Sequence, residues 1–133
     1  MYNLILLNHF YGYPDLIDKS TNDIRYAQLL RLIHKFNPMN TIFFCSNDWR
    51  QDKRLKSISE IAKSEGFTWV EYEEDESIEN ILNKKDLEIT PSNSTVIIGG
   101  TNTAGCLLRN SNVAAINWIN LGFNVQICLS MCA

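Results

Sequence analysis

Cys106 is the residue whose neighbours best equip it for chemistry. It follows a run rich in β-branching, Thr95 to Ile98, then a glycine pair, Gly99 and Gly100, then the polar run Thr101, Asn102 and Thr103. The apolar run reads as a buried strand that the glycines end. The polar side chains then offer N-caps for a helix carrying Cys106 in its first turn. A strand–turn–helix joint presents backbone N–H groups and a positive helix end to an anion. The same positive end favours a thiolate over a thiol, and the thiolate is the nucleophile. The plainer alternative is that Cys106 is a small apolar side chain buried under its helix, as free cysteines commonly are.

The other elements position this joint. Leu4 to Leu7 is a continuous apolar run, the pattern of a strand buried on both faces of a parallel sheet. It opens into an aromatic loop, Asn8 to Pro14. Ser20 or Thr21 is expected to cap the first helix, whose buried stripe is Tyr26, Leu29, Leu30, Ile33 and Phe36, and Asn37-Pro38 stops it. Thr41 to Cys45 reads as the second strand. A polar helix follows with Leu55, Ile58, Ile61 and Ala62 inward, ended by Gly66. Phe67 to Val70 starts a third strand, Ser77 to Lys84 a short helix, and Val125 to Leu129 a fifth strand after the Cys106 helix. The acidic run Glu71 to Glu76 reads as a solvated face.

Strands alternating with helices define an α/β/α domain with a parallel Rossmann-like sheet spanning residues 1–133. The simplest doubly wound order for five strands is 3-2-1-4-5. The winding then reverses between the first strand and the Thr95 strand, and ligands bind outside the carboxyl ends of strands at such a switch point. Asn8, His9 and Phe10 from the first strand and Thr101 to Cys106 from the fourth belong to that crevice. Asp48 and Trp49 approach it from the second. Successive strand residues point to opposite faces, so Asn8 and His9 both reach Cys106 only if the chain bends after Asn8.

The stretch from Val96 to Leu108, with a helix and then Gly122, Phe123 and Val125, resembles the isochorismatase-like cysteine hydrolases. Their nucleophile loop runs from an apolar strand through Gly, Thr and Cys into a helix that closes on Gly-aromatic-x-Val. Gly100, Thr103, Cys106, Gly122, Phe123 and Val125 match. About four additional residues between Cys106 and Gly122 equal roughly one helical turn, so a longer helix is expected. The resemblance covers most of the chain. It implies the same sheet and a Cys–Asp–Lys triad that hydrolyses a C–N or C–O bond of a small molecule.

The triad itself departs from the family. Asn8 stands where the acid ends the first strand, and a neutral amide cannot take a thiol proton. Phe10 stands at the glutamine two residues later. The third strand runs into Val70 to Asp75 with no lysine, and Lys84 and Lys85 are the nearest. The metal-dependent nicotinamidase branch has Asp-Trp-His where this chain has Asp48-Trp49-Arg50, and a guanidinium cannot bind a cation. No metal and no cofactor are therefore expected.

Composition bounds the partners. At 133 residues, 45% hydrophobic and 20% charged, the chain is an ordinary globular domain. Its net charge of −3 offers no footprint for nucleic acid. No apolar run reaches membrane length, and the first residues lack a basic region and cleavage site. The cysteines Cys45, Cys106, Cys128 and Cys132 are scattered, as in a reducing cytoplasm. Cys45 and Cys128 are expected to be buried in strands and Cys132 exposed. The aromatic N-terminal loop and Trp118 offer surfaces for a homo-oligomer.

Two functions follow from these residues. One is a cysteine hydrolase with a rewired site, Cys106 as nucleophile and His9 as replacement base beside Asn8. The other is a catalytically inactive relative. It binds a planar or carboxylated small molecule among Asn8, Phe10, Trp49 and Asn102, or serves in an assembly.

Overall fold

The computed structural model describes residues 1–10, 17–47, 52–84, 88–101 and 108–133. Five strands form one parallel sheet in the order expected, β3-β2-β1-β4-β5. They are β1 (Tyr2–Asn8), β2 (Thr41–Ser46), β3 (Thr68–Tyr72), β4 (Ser94–Gly100) and β5 (Asn124–Cys132). The helices are α1 (Lys19–Lys35), α2 (Lys53–Ser64), α3 (Ile78–Leu82) and α4 (Ala115–Asn120). β1 lies between β2 and β4, with Leu4 beside Ile42 on one side and Val96 on the other.

The period of two sorts the core. Leu4, Leu6, Ile42, Phe44, Val96 and Ile98 face the short helices α3 and α4, where Ile78, Ile81 and Trp118 meet them. Ile5, Leu7, Phe43, Cys45 and Ile97 face the long helices α1 and α2, meeting Leu29, Ile33, Leu55 and Ala62. Leu4 to Leu7 are all fully buried, which explains the unbroken apolar run. Each such side chain stabilises the fold by roughly 1.5–3 kcal/mol.

Several local expectations are corrected. Asp18, not Ser20 or Thr21, caps α1. Its carboxylate accepts the Thr21 N–H at 2.7 Å and both neighbouring hydroxyls, and these donors hold its pKa below the ordinary value. The carboxylate outcompetes a hydroxyl because it accepts several bonds at once. Ile61, expected inward on α2, is exposed. Trp118 is fully buried, donates its indole N–H to the Val113 carbonyl at 3.0 Å and packs edge-on against Phe123. It therefore presents nothing to a partner. Cys132 is not a free end: β5 runs to it, and its thiol donates to the Cys128 carbonyl at 3.2 Å. Cys128 is half-buried rather than enclosed, because β5 is an edge strand.

The helix expected to run from Cys106 to Gly122 is broken. Residues 108–110 make one helical turn, and α4 starts only at Ala115. Between them the Ser111 hydroxyl takes the Val113 N–H at 3.2 Å, and the Ser111 carbonyl takes the Ala114 N–H at 3.0 Å. The Asn117 amide satisfies the carbonyls of Ser111 and Asn112. Short polar side chains that bond the local backbone compete with a helix, and Ser111 and Asn117 both do so here.

Candidate functional site

The ends of β1 and β4 meet as the winding reversal requires. Leu7 pairs Gly99 and Asn8 pairs Gly100. One step further the Thr101 N–H donates to the Asn8 carbonyl at 3.3 Å. Gly99 lets β5 close in, since a Cβ there would lie 2.5 Å from the Met131 Cβ.

Asn8 is buried, and its side-chain oxygen accepts the Tyr72 hydroxyl at 3.3 Å across the sheet. His9 then takes a left-handed backbone, φ 49°. A non-glycine residue there costs about 1–2 kcal/mol. The bend is secured from β2: the His9 N–H donates to the Ser46 hydroxyl at 3.0 Å, and that hydroxyl donates to the Leu7 carbonyl at 3.3 Å.

The bend decides where the next two side chains go. The His9 imidazole turns toward β3, with Nε2 3.7 Å from a Glu74 carboxylate oxygen. Phe10 crosses to the α1 side. There it is fully buried, edge-on to Tyr26 at 5.3 Å and with the Arg25 guanidinium 4.3 Å from its ring centre. Fully buried between these two neighbours, Phe10 is a core residue rather than a pocket wall.

Arg25 was not among the residues singled out by sequence. It is buried on α1 and ties three strand ends together: it donates to the carbonyls of Phe10 and of Met131, the latter at 3.2 Å, and to the Thr101 hydroxyl at 3.3 Å. A fourth bond reaches the Asn22 side chain at 2.9 Å. The available signal was an arginine immediately before the apolar stripe that starts at Tyr26. Thr101 thus has its N–H on Asn8 and its hydroxyl on Arg25, both directed into the scaffold.

His9 lies on the wall of an open polar crevice of about 440 Å³, with Asn47, Glu73, Glu74, Asp75 and the segment Asn110 to Asn112. It opens at the carboxyl ends of β1, β2 and β3. The Asn112 amide bridges its far wall to the Asp75 carbonyl at 2.9 Å. Part of the acidic run therefore borders a cavity. Glu76 beside it is partly desolvated, which opposes its charge. The Glu73 N–H, the Lys84 ammonium and the Asn80 amide outweigh this and hold its carboxyl below the ordinary value. Lys84 also donates to the Glu71 carbonyl of β3 at 2.8 Å.

Of the residues expected at the site, Asn8, His9 and Thr101 gather at the ends of β1 and β4, and Phe10 departs to the core. Cys106, Asp48, Trp49, Asn102 and Thr103 lie outside the described residues. Among the described residues no three His, Cys, Asp or Glu side chains gather to hold a metal ion. No helix among them is long and apolar enough to cross a membrane. Comparison of the chain with protein-family models, curated proteins and solved structures returns no match.

Proposed function

We propose that this chain is a divergent isochorismatase-like hydrolase that acts on a C–N or C–O bond of a small molecule through Cys106. The observation that carries this reading is the junction of Asn8 and Thr101 at the reversal of the sheet, because the motif Gly100, Thr103, Cys106 continues from that junction. In this reading the substrate enters from the carboxyl ends of β1 and β4, and Cys106 attacks its electrophilic carbon. Asn8 stands where the family has its acid, so proton transfer is the weak step. General acid–base catalysis contributes about 10²–10⁴-fold, and turnover is expected to be slow by that factor.

A second reading, a protein that binds a small molecule without turnover, is favoured by the direction of His9. Its imidazole has Nε2 3.7 Å from a Glu74 carboxylate oxygen on the β3 side, a contact that suits ligand recognition in the crevice as well as it suits a base. The two readings share a site and differ in whether Cys106 is consumed and regenerated.

The experiment is turnover of a panel of small amides, esters and enol ethers by wild type and by Cys106→Ala, with ligand binding followed in parallel. Hydrolysis lost in Cys106→Ala supports the hydrolase. Binding that survives Cys106→Ala with no turnover in either protein supports the binding protein and overturns the hydrolase.

A further inference from the structure

From Asn110 to Ala133 the chain carries no charged residue, although one residue in five is charged overall. That tract builds α4 and β5, the whole of one border of the sheet. The opposite border is defended: β3 is short, carries Glu71, and has the Lys84 ammonium seated on the Glu71 carbonyl. Charge and lysine at an edge are the usual protection against another strand. β5 is nine residues long and has neither. Among the described residues no strand pairs with its outer side.

We propose that β5 is the interface of a two-fold homodimer, formed by antiparallel pairing of β5 with β5 of a second copy. An open strand edge presents N–H and C=O groups that another strand satisfies best. The choice of a second copy rests on charge. Each chain carries a net charge of −3, and across this uncharged tract two copies meet without setting like charges against one another. A two-fold axis makes the same patch serve both partners.

The regular part of the edge is Asn124 to Ile127, paired in step with Thr95 to Ile98. Beyond it β5 departs from β4 and rejoins at Cys132 beside Gly100. Four residues of strand edge bury too little for a stable pair, which needs on the order of 800 Å² per partner. The proposal takes the rest from exposed apolar side chains of the same tract: Ile116 and Ile119 on α4, which packs against β5, Leu121 just after it, and Leu129 on the departing segment, 75% exposed. Exposed apolar side chains grouped in this way mark an interaction surface.

The test is the mass of the full chain in solution by sedimentation over a dilution series, for wild type, Gln126→Lys and Ile119→Lys. Gln126 is exposed at the middle of the regular edge, where the axis sets its two copies opposite one another. Ile119 is 52% exposed on α4, so its replacement leaves the core intact and covers the case in which Gln126→Lys misfolds. Wild type is expected at twice the 15.3 kDa chain mass. Each variant should weaken association by at least about tenfold, Gln126→Lys by setting like charges opposite one another and Ile119→Lys by placing a charge in the apolar area. Amide exchange at Asn124 to Ile127 should slow as concentration rises. A wild-type monomer throughout, or a dimer that neither variant weakens, overturns the proposal, as does exchange at β5 that is independent of concentration.

Discussion

Thr101 donates its backbone N–H to the carbonyl of Asn8 at 3.3 Å, just past the last paired residues of β1 and β4. That bond places Thr101 beside Asn8, the residue that under the proposed function replaces the general base. The deficit in the proposed chemistry is therefore local and can be addressed by one substitution.

Asn8→Asp puts a carboxylate at the end of β1. If Cys106 is a nucleophile lacking only its base, turnover should rise by about 10²–10⁴-fold. Burial of an acid at a position only 1% exposed should lower the denaturation midpoint at the same time. Steady-state rates with urea unfolding of the same preparation check both. A stable Asn8→Asp protein with an unchanged rate would argue that Cys106 is not a nucleophile.

Arg25→Met should be among the most destabilising single changes. It strips donors from the buried carbonyls of Phe10 and Met131 and from the Thr101 hydroxyl. Each buried carbonyl that loses its donor costs about 1–3 kcal/mol. Urea titration measures the loss, which a small effect on the midpoint would contradict. Arg25→Lys should fall between, since one ammonium cannot span all three strand ends.

Gly99→Ala should destabilise by about 1–3 kcal/mol through overpacking, because the new methyl would sit 2.5 Å from the Met131 Cβ. Adding Met131→Ala should not restore stability, since alanine keeps the offending Cβ. A double variant as stable as wild type would mean that β5 moves away at low cost.

Cys45 should resist iodoacetamide in the native protein and label only on unfolding, being fully buried between β1 and β3 on the α1 and α2 side. Cys128, half-buried beside Gln28, should label before it. Peptide mass spectrometry over time orders the sites. Native labelling of Cys45 at the rate of Cys128 would contradict the packing of β2.

Acid should weaken the fold partly through Glu76. Its pKa is held below the ordinary 4.5, so its contribution is complete above that value and is lost as pH falls through the lower folded value. Glu76→Gln should therefore flatten the acid limb of stability against pH. Equal acid limbs in both proteins would show that the Glu73 and Lys84 contacts contribute nothing to this dependence.

Sequence alone determined the five strands, their parallel pairing, their order and the meeting of Asn8 and Thr101 at the reversal. Runs such as Leu4 to Leu7 are buried on both faces, and that pattern is local and repeats with the strand period. The left-handed turn at His9, the passage of Phe10 into the core, the Arg25 clamp and the break at Ser111 were decided by tertiary structure. Each depends on a side chain meeting backbone or side-chain groups brought near by the fold or competing with a regular helix: Ser46 with His9 and Leu7, Arg25 with Phe10, Thr101 and Met131. Composition and periodicity record which face a residue takes in a regular element. They carry no record of which carbonyl a buried guanidinium will find where the element ends.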